Sequence, residues 1–474
     1  MKPLLPTLDA VQLLFDGSMA FAKMEQAGIK IDVDRLDQTI KDVAGRITEL
    51  ETRLRTSDVY ATWRKRFRDK ANLGSRPQLA EILFDVMKLP YPGGKDNLTA
   101  TKRYRTDDEI LAKVDLPFVK DYQRLMRLGK LKSTYLVGLK REVVDGFVHG
   151  VFNLHTVVTF RSSADSPNLQ NQAVRDPEIA EILRRCFIAR SGRRLVEIDL
   201  SATEFKGAAC FWSDAGMIEY ASNPDKDVHR DQAMDLFCCE AKQINKRMRY
   251  LGKNGFVFPT LYGSYYVKCA AAIWEELDGL TMEDGKTLVK EWLASKGITR
   301  LGLCDSRQRP KPGTFEYHVK EVEERFFARF PTFAEKKEKW WKDYQKTGAF
   351  RMPSGFVCSG NYSRNFLLNS PIQGSMYHCL LKAHIKLQRL IEKKGMKTLL
   401  VAQIHDCVLA DVPENELQRY LKLAKWCMTD YLRKCWDWLT VPLGIEVDVT
   451  PVEGSWWEKA AWHEVDGKWI SKGK

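Results

Sequence analysis

Two aspartates, each at the end of an apolar segment, lie more than two hundred residues apart in this chain. Asp199 closes a short apolar run, and Asp406 lies at the bend between two others. The runs have the length and composition of buried strands. We expect strands over 194–199 and 397–412, joined by a further strand from Leu443 to Val452, to build one sheet. Adjacent strands of that sheet would hold both carboxylates against a rigid backbone.

A helical segment with charged and aromatic residues lies between the two aspartates. Arg249 and Lys253 are four residues apart, as are Phe258 and Tyr262. Residues at this spacing share one face of a helix. The two cations could hold phosphate oxygens, and the two aromatic rings could stack on a base and a sugar. The alternative is a surface helix with an aromatic core stripe.

The positive charge of the chain is concentrated in one region. The net charge is +13, and residues 53–141 contain 21 Lys and Arg against 10 Asp and Glu. Basic runs with interleaved aromatic residues occur at 63–70 and 101–106. Such a region indicates a polyanionic partner, with nucleic acid favoured. The alternative is a solvated basic face that keeps the protein in solution.

Composition excludes several other classes of protein. Apolar residues make up 44% of the 474 residues, which is typical of a globular chain with two or three subdomains. The sequence has no apolar run long enough for a membrane helix and no signal-peptide pattern at its start. Eleven cysteines are scattered without the spacing of a zinc site or a disulfide framework. A reducing cytoplasm without membrane attachment is the expected location.

Periodicity predicts an antiparallel helical arm in the basic region. Apolar residues recur at steps of three and four from Asp32 to Leu54, with Asp32 or Asp34 as the N-cap. A second helical stretch covers 117–141 and could pair with the first. Residues 207–350 have a mostly helical pattern, interrupted by a loop at 299–314.

Several segments together resemble the family A DNA polymerases, the bacterial DNA polymerase I group. The resemblance includes DLSATE, RYLGKNGFVFPTLYG and QIHDCVL in that order, FRSSADSPNLQNQAVR before them, and NSPIQGS before the last. It implies an α+β fold of the right-hand type, with an antiparallel palm sheet, a helical thumb and helical fingers. The implied divisions are an N-terminal palm-associated segment (1–30), thumb (31–145), palm (146–206 and 351–474) and fingers (207–350).

The resemblance also implies a function, which is template-directed addition of dNTPs to a primer 3′-hydroxyl by two-metal-ion phosphoryl transfer. Asp199 and Asp406, with the main-chain carbonyl of Leu200, would hold two Mg²⁺ ions, with Mn²⁺ as a substitute. Lys253 would act in catalysis beside Asp199 and Asp406. The implied nucleotide-binding residues are Glu204, His229, Arg249, Lys253, Phe258 and Tyr262. The implied DNA-binding residues are Lys130, Lys132, Arg161, Asn168, Gln170, Asn171, Arg175, Gln373 and His405.

Three features of the chain depart from the family pattern. Cys407 occupies a position where the family commonly has glutamate, and a thiol is a poor ligand for Mg²⁺. Residues 280–318 have no evident counterpart and are predicted to be an insertion. Lys253 and Tyr262 are nine residues apart instead of the usual eight, which in a regular helix would turn them to opposite sides. We therefore predict a π-bulge or kink between Lys253 and Phe258.

Other functions remain open at this stage. A single-subunit RNA polymerase shares the aspartates and the lysine helix, but Glu204 and Phe258 argue against it. A reverse transcriptase lacks support because no YxDD hairpin is present. A DNA-binding scaffold without catalysis is the alternative from another class. The expected partners are primer–template DNA and dNTPs, with a separate exonuclease or replication accessory proteins, since no proofreading exonuclease domain is expected. A phage origin would place the protein in the cytoplasm of a bacterial host.

Overall fold

The structure is a computed structural model in which residues 4–94, 98–99, 101–170, 176–302 and 309–473 are described. Helices surround a six-stranded antiparallel sheet, as expected for the α+β class. None of the helices in these ranges combines the length and hydropathy that crossing a membrane requires.

The N-terminal third is mainly helical. Its elements are α1 (Leu8–Ala27), β1 (Ile29–Lys30), α2 (Val33–Arg55), α3 (Asp58–Phe67), α4 (Arg76–Ala80), α5 (Asp108–Ala112), α6 (Pro117–Lys130), α7 (Val137–Arg141), β2 (Val143–Val144) and β3 (Phe147–Val148). Wider π-helical turns follow α4 at Glu81–Val86 and α6 at Leu131–Leu136. β1, β3 and β2 form a small antiparallel sheet.

The predicted helical arm is present, and its two helices run antiparallel. Asp32 caps α2 by accepting a hydrogen bond from the backbone N–H of Arg35 at 3.0 Å. Arg53 pairs with Asp121 at 2.7 Å, and Asp37, at the other end of α2, pairs with Lys140. The crossed order of these two ion pairs fixes the antiparallel orientation.

The middle of the chain combines the first long strand with a helical region. Its elements are β4 (Val151–Asn153), β5 (Ser163–Asp165), α8 (Pro177–Arg184), β6 (Arg193–Ser201), α9 (Thr203–Trp212), α10 (Ala215–Ser222), α11 (Val228–Phe237), α12 (Lys246–Leu251), α13 (Phe258–Leu261), α14 (Tyr266–Glu275), α15 (Val289–Ser295), α16 (Phe315–Arg329) and α17 (Pro331–Thr347). A π-helical turn at Gly252–Val257 joins α12 to α13.

The C-terminal part completes the main sheet. Its elements are β7 (Ala349–Arg351), β8 (Val357–Ser359), α18 (Arg364–Lys393), β9 (Leu399–Ile404), β10 (Cys407–Pro413), α19 (Leu417–Met428), α20 (Asp430–Cys435), β11 (Gly444–Val449), β12 (Ala460–Val465) and β13 (Lys468–Ser471). The strand order is β13-β12-β11-β6-β10-β9, so the predicted sheet strands are confirmed.

Side chains of β6 alternate between two hydrophobic cores, as the two-residue period of a strand requires. Val196, Ile198 and Leu200 pack in one core with the helical region 203–347, α18 and α19. Leu195 lies in the other core with α1, α2 and α6. Asp199 is on the same face as Leu195, and this face carries the candidate site.

Candidate active site

Asp199 and Asp406 meet at one end of the main sheet. Asp199 lies on β6 directly across from Cys407, the first residue of β10, so that Asp406 is one residue beyond this pair. The backbone N–H of Leu200 donates to the carbonyl of Asp406 at 3.4 Å. β6 continues two residues past Asp199, so Asp199 does not end its strand as expected. The predicted convergence of the two aspartates is nevertheless present.

The environment of Asp199 disfavours a negative charge on its carboxylate. Burial, together with the charges of Asp406 and Glu446, raises the pKa of Asp199 to about 7. Its Oδ1 atom is buried and accepts no hydrogen bond from any of the described residues. A buried carboxylate without a partner is costly unless a cation neutralises it. The donor set therefore fits a divalent cation.

The neighbours of Asp199 on the adjacent strands have different chemistry. Cys407 is buried, and burial raises the pKa of its thiol well above the ordinary value. A protonated thiol does not bind Mg²⁺. On the other side, Glu446 of β11 lies opposite Asp199 and is exposed. Within the described ranges, no group of three or more His, Cys, Asp or Glu side chains is arranged to hold a metal ion.

The helix that carries Lys253 has the predicted irregularity. The segment Gly252–Val257 is a π-helix between two α-helices, which confirms the expected π-bulge before Phe258. The Lys253 ammonium lies 5.0 Å from the ring centroid of Phe258, and the Phe258 and Tyr262 rings are 6.2 Å apart. The wider turn therefore keeps all three side chains in one row despite the extra residue.

His229 and Arg249 lie beside this row. The His229 ring meets Phe258 edge to face, with 5.4 Å between the centroids. Burial, together with the charges of Lys253 and Arg249, lowers the pKa of His229 to about 4. Arg249 is held by Asp227, whose carboxylate accepts its Nε–H at 2.7 Å. The result is a cationic surface next to a neutral imidazole, which suits a phosphate chain.

Glu204 and Tyr262 face the aspartate pair. A small cavity of about 50 Å³ is lined by Arg161, Thr203, Glu204, Gln373, Met376 and Asp406. Burial raises the pKa of Tyr262, and the nearby Glu204 carboxylate raises it further. The hydroxyl of Thr203 donates to Glu204 at 3.2 Å. Glu204 thus lines the same cavity as Asp406, and its charge acts on Tyr262 of the aromatic row.

Four of the predicted DNA-binding residues line one cavity of about 420 Å³, namely Arg161, Gln170, Gln373 and His405. Arg161 donates to Gln373 at 3.1 Å and lies 3.9 Å from a carboxylate oxygen of Asp406. Gln170 donates to Ser162 at 2.7 Å and to the carbonyl of Gln403 at 3.1 Å. These contacts hold amide and guanidinium groups at the wall of a groove beside Asp406.

Three further predicted DNA-binding residues that the structure describes, Asn168, Lys130 and Lys132, do not line this cavity. The side chain of Asn168 accepts the backbone N–H of Gln170 at 3.1 Å, which is ordinary turn chemistry. Lys130 is exposed at the end of α6, and Lys132 is half-buried in the π-turn that follows. Asn171 and Arg175 lie outside the described residues.

Sequence reasoning missed residues that act across the fold. Asp227 orients Arg249, and its position before the helical segment that starts at Val228 was the available signal. Gln403 receives hydrogen bonds from both Ser162 and Gln170, but its strand pattern shows only an apolar run. Glu446 could be found only with the register of β11 against β6.

A family model described as "DNA polymerase family A" matches residues 34–297 and 316–458. Most of the 280–318 segment that was expected to be an insertion is therefore matched. Only residues 298–315 fall between the two matched parts, so the predicted insertion was too wide. In the fold, α15 and α16 belong to the same hydrophobic core as α11 and α14.

Similar proteins include "DNA polymerase I" of Chloroflexus aurantiacus, 28% identical over 90% of this chain and 41% of its own length. "DNA polymerase I, thermostable" of Thermus aquaticus is 27% identical over 91% of this chain and 46% of its own length. The chain therefore spans less than half the length of these relatives.

Among solved structures, the "POL domain of Pol1 from M. smegmatis complex with DNA primer-template and dNTP" is 25% identical. The structural match covers 94% of this chain and 70% of the chain in that structure, with a TM-score of 0.72. This likeness confirms the predicted α+β right-hand fold with its antiparallel sheet.

Proposed function

Because the chain belongs to DNA polymerase family A, we propose that it adds dNTPs to the 3′-hydroxyl of a primer under the direction of a template. The observation that supports this proposal best is the meeting of Asp199 and Asp406 beside the row of Lys253, Phe258 and Tyr262. A site with two carboxylates and a cationic helix matches the needs of phosphoryl transfer from a nucleoside triphosphate.

The carboxylates of Asp199 and Asp406, with the carbonyl of Leu200, are the groups proposed to hold two Mg²⁺ ions, with Mn²⁺ as a substitute. The unpartnered, buried Oδ1 of Asp199 supports this assignment. When bound, such ions activate the attacking hydroxyl and stabilise the departing pyrophosphate. The protein contributes the fixed positions of the two carboxylates on adjacent strands.

The residues proposed to bind the incoming nucleotide divide by the part that each would touch. Arg249, Lys253 and the neutral His229 would hold the triphosphate. Phe258 and Tyr262 would stack on the base and the sugar. Glu204, at the wall of the small cavity beside Asp406, would fill the space that a ribose 2′-hydroxyl requires.

The primer–template duplex is the proposed macromolecular partner. Arg161, Gln170, Gln373 and His405 line the groove beside Asp406 and could donate to minor-groove acceptors that every base pair offers. Lys130, Lys132, Asn168, Asn171 and Arg175 are proposed to make further contacts to the DNA. A separate exonuclease and replication accessory proteins are proposed as additional partners.

We propose that the chain divides into a thumb, fingers and a palm. Residues 31–145 would act as the thumb, 207–350 as the fingers, and 146–206 with 351–474 as the palm, with the segment 1–30 packed on the palm.

The ten cysteines of the described ranges form no disulfide. Free thiols favour the cytoplasm as the compartment, that of a bacterial host if the origin is a phage.

Primer extension tests the proposal directly. Wild-type protein with Mg²⁺ should extend a primer on a defined template by the complementary dNTP, and Asp406→Asn should lose at least about 10³-fold in rate. Product formation by Asp406→Asn at the wild-type rate would refute the assignment. No Mg²⁺-dependent product from the wild type would favour the scaffold alternative.

Ribonucleotide selection separates a DNA polymerase from an RNA polymerase. Removal of the Glu204 side chain in Glu204→Ala should open space at the 2′ position and raise rNTP use relative to dNTP by about 10- to 200-fold. Competing dNTP and rNTP incorporation on one template measures this ratio. A wild type that prefers rNTP would favour the RNA polymerase alternative.

A further inference from the structure

A second cavity is lined by residues just past the end of β6 and by two of the proposed nucleotide-binding residues, and it carries a lysine that the proposed mechanism does not use. This cavity has a volume of about 480 Å³, and its wall includes Ser201, Lys206, His229, Arg249 and Gly444. Ser201, which lines the cavity, is the last residue of β6 and lies two residues beyond Asp199. His229 and Arg249, which belong to the proposed triphosphate-binding surface, form one side of the cavity.

Lys206 is half-buried in this cavity without a counter-charge. In the parts of the chain that the structure describes, its ammonium forms no ion pair and no hydrogen bond. A Cβ placed on Gly444 would lie 3.6 Å from its Nζ atom and 2.7 Å from the Ser201 hydroxyl oxygen, so Nζ lies close to the end of β6. Burial lowers the pKa of Lys206. An ammonium held in this way is costly unless an anion arrives.

The other charges of the cavity leave it cationic. Arg249 is neutralised by Asp227 at 2.7 Å, and Lys226 at the rim lies over the Tyr220 ring at 5.8 Å. Asp227 is the only acidic residue in the described lining, and it is already engaged by Arg249. A multiply charged anion that appears beside Asp199 would therefore find Lys206 as an uncommitted partner.

We propose that Lys206 binds the pyrophosphate end of the bound nucleotide. After the reaction, Lys206 binds the released pyrophosphate in this cavity. The inference rests on the proposed function. In that reaction the primer 3′-hydroxyl loses its proton to solvent, its oxygen bonds to the α-phosphorus, and the bond from the α-phosphorus to the bridging oxygen breaks. The bridging oxygen leaves with the electron pair as part of pyrophosphate. Lys206 neutralises the added charge and transfers no proton.

Pyrophosphorolysis of a primer–template by the full chain with Mg²⁺ tests this inference. Pyrophosphate has neither base nor sugar, so its binding depends more on Lys206 than dNTP binding does. Lys206→Met should raise the KM for pyrophosphate about tenfold and raise the KM for dNTP less. Lys206→Arg, which keeps the charge, should restore the KM for pyrophosphate to within about threefold of wild type.

A matched control distinguishes a ligand contact from a packing effect. Lys382 on α18 is also half-buried and lines none of the cavities described above, so Lys382→Met should leave the KM for pyrophosphate unchanged. Thermal unfolding of each variant checks folding, and Lys206→Gln replaces Lys206→Met in the assay if the latter is unfolded.

The outcomes separate the inference from the proposed function. If wild type extends primers but Lys206→Met has an unchanged KM for pyrophosphate, the inference is wrong and the function stands. Equal losses of kcat in both directions with KM constant would also overturn it, since that is the result of a structural role. If wild type extends no primer, both fail.

Discussion

On one face of the main sheet, the acidic residues at the two ends differ in their partners and in the charges around them. At one end Asp199 has a buried oxygen without a partner in the described part of the chain, and repulsion from Asp406. At the other end Asp411, on β10, is 1% exposed. Its Oδ1 also lacks a hydrogen-bond partner among the described residues, but its Oδ2 pairs with Arg190 at 2.6 Å. Between them Glu197 pairs with Lys459 at 2.8 Å. Although burial opposes it, Glu197 and Asp448 raise the pKa of Lys459.

This difference separates acids that stabilise the fold from acids that are kept for a ligand. Arg190 also lies over the Phe147 ring at 4.6 Å and donates to the carbonyl of Gly28 at 3.3 Å, so the Asp411 pair ties the sheet to the N-terminal region. Asp199 makes no comparable link. A carboxylate that weakens the fold and binds no described side chain is retained for its chemistry.

The largest expected effect is on activity at the unpaired end. Asp199→Asn should reduce primer extension by at least about 10³-fold, because the amide cannot neutralise and fix a divalent cation. Its folding should be intact by circular dichroism. Activity within tenfold of wild type would mean that the two ends of the sheet do not differ in function.

The next effect is on stability at the paired end. Asp411→Asn leaves the Arg190 guanidinium buried without a counter-charge, which should lower the free energy of unfolding by about 3–5 kcal/mol. Urea unfolding measures the loss. Primer extension at a temperature where the variant is folded should stay near the wild-type rate. A large loss of activity with unchanged stability would reverse the assignment of roles.

A smaller effect concerns pH and stability without metal. The pKa of Asp199 is raised to about 7 in the folded state from an ordinary 3.8. The folded state therefore binds the proton more tightly, and the free energy of unfolding should fall as pH rises from about 4 to 7. Asp199→Asn should remove this fall and be more stable than wild type at pH 8 by roughly 2–4 kcal/mol.

Unfolding of the wild type and of Asp199→Asn in EDTA across this pH range measures the effect. Added Mg²⁺ should stabilise the wild type at pH 8 more than Asp199→Asn, since it binds the folded state. Identical pH profiles for wild type and Asp199→Asn would show that this carboxylate is ordinary.

The smallest effect is expected at Cys407, which lies beside the aspartates but is buried and protonated. Cys407→Ala should cost about 1 kcal/mol of stability through lost packing and change primer extension by less than about threefold. The dependence on Mg²⁺ concentration should be unchanged. A marked shift in that dependence would make the thiol part of the metal site.

Short-range patterns predicted much of this fold. The capping of α2 by Asp32, the helices of the basic arm and the three central strands follow from period and turn residues alone. The π-turn at Gly252–Val257 followed from counting residues between Lys253 and Tyr262. Each of these features depends on residues that are close together in the sequence, so the sequence alone can predict it.

Contacts between distant segments were not predictable in the same way. The pairing of Asp227 with Arg249, and that of Gln170 with Gln403, depend on how helices and strands dock. The neighbour relation of Glu446 and Asp199 requires the register of β11, which a one-residue shift would reverse.

The wide helical turn at Gly252–Val257 has a consequence for how such chains are compared. It absorbs one additional residue while Lys253, Phe258 and Tyr262 stay in register with their surroundings. Fixed residue counts between functional positions are therefore poor criteria for grouping these proteins, because an insertion of one can be silent in three dimensions. A search pattern that allowed one extra position here would retain chains that a rigid pattern discards.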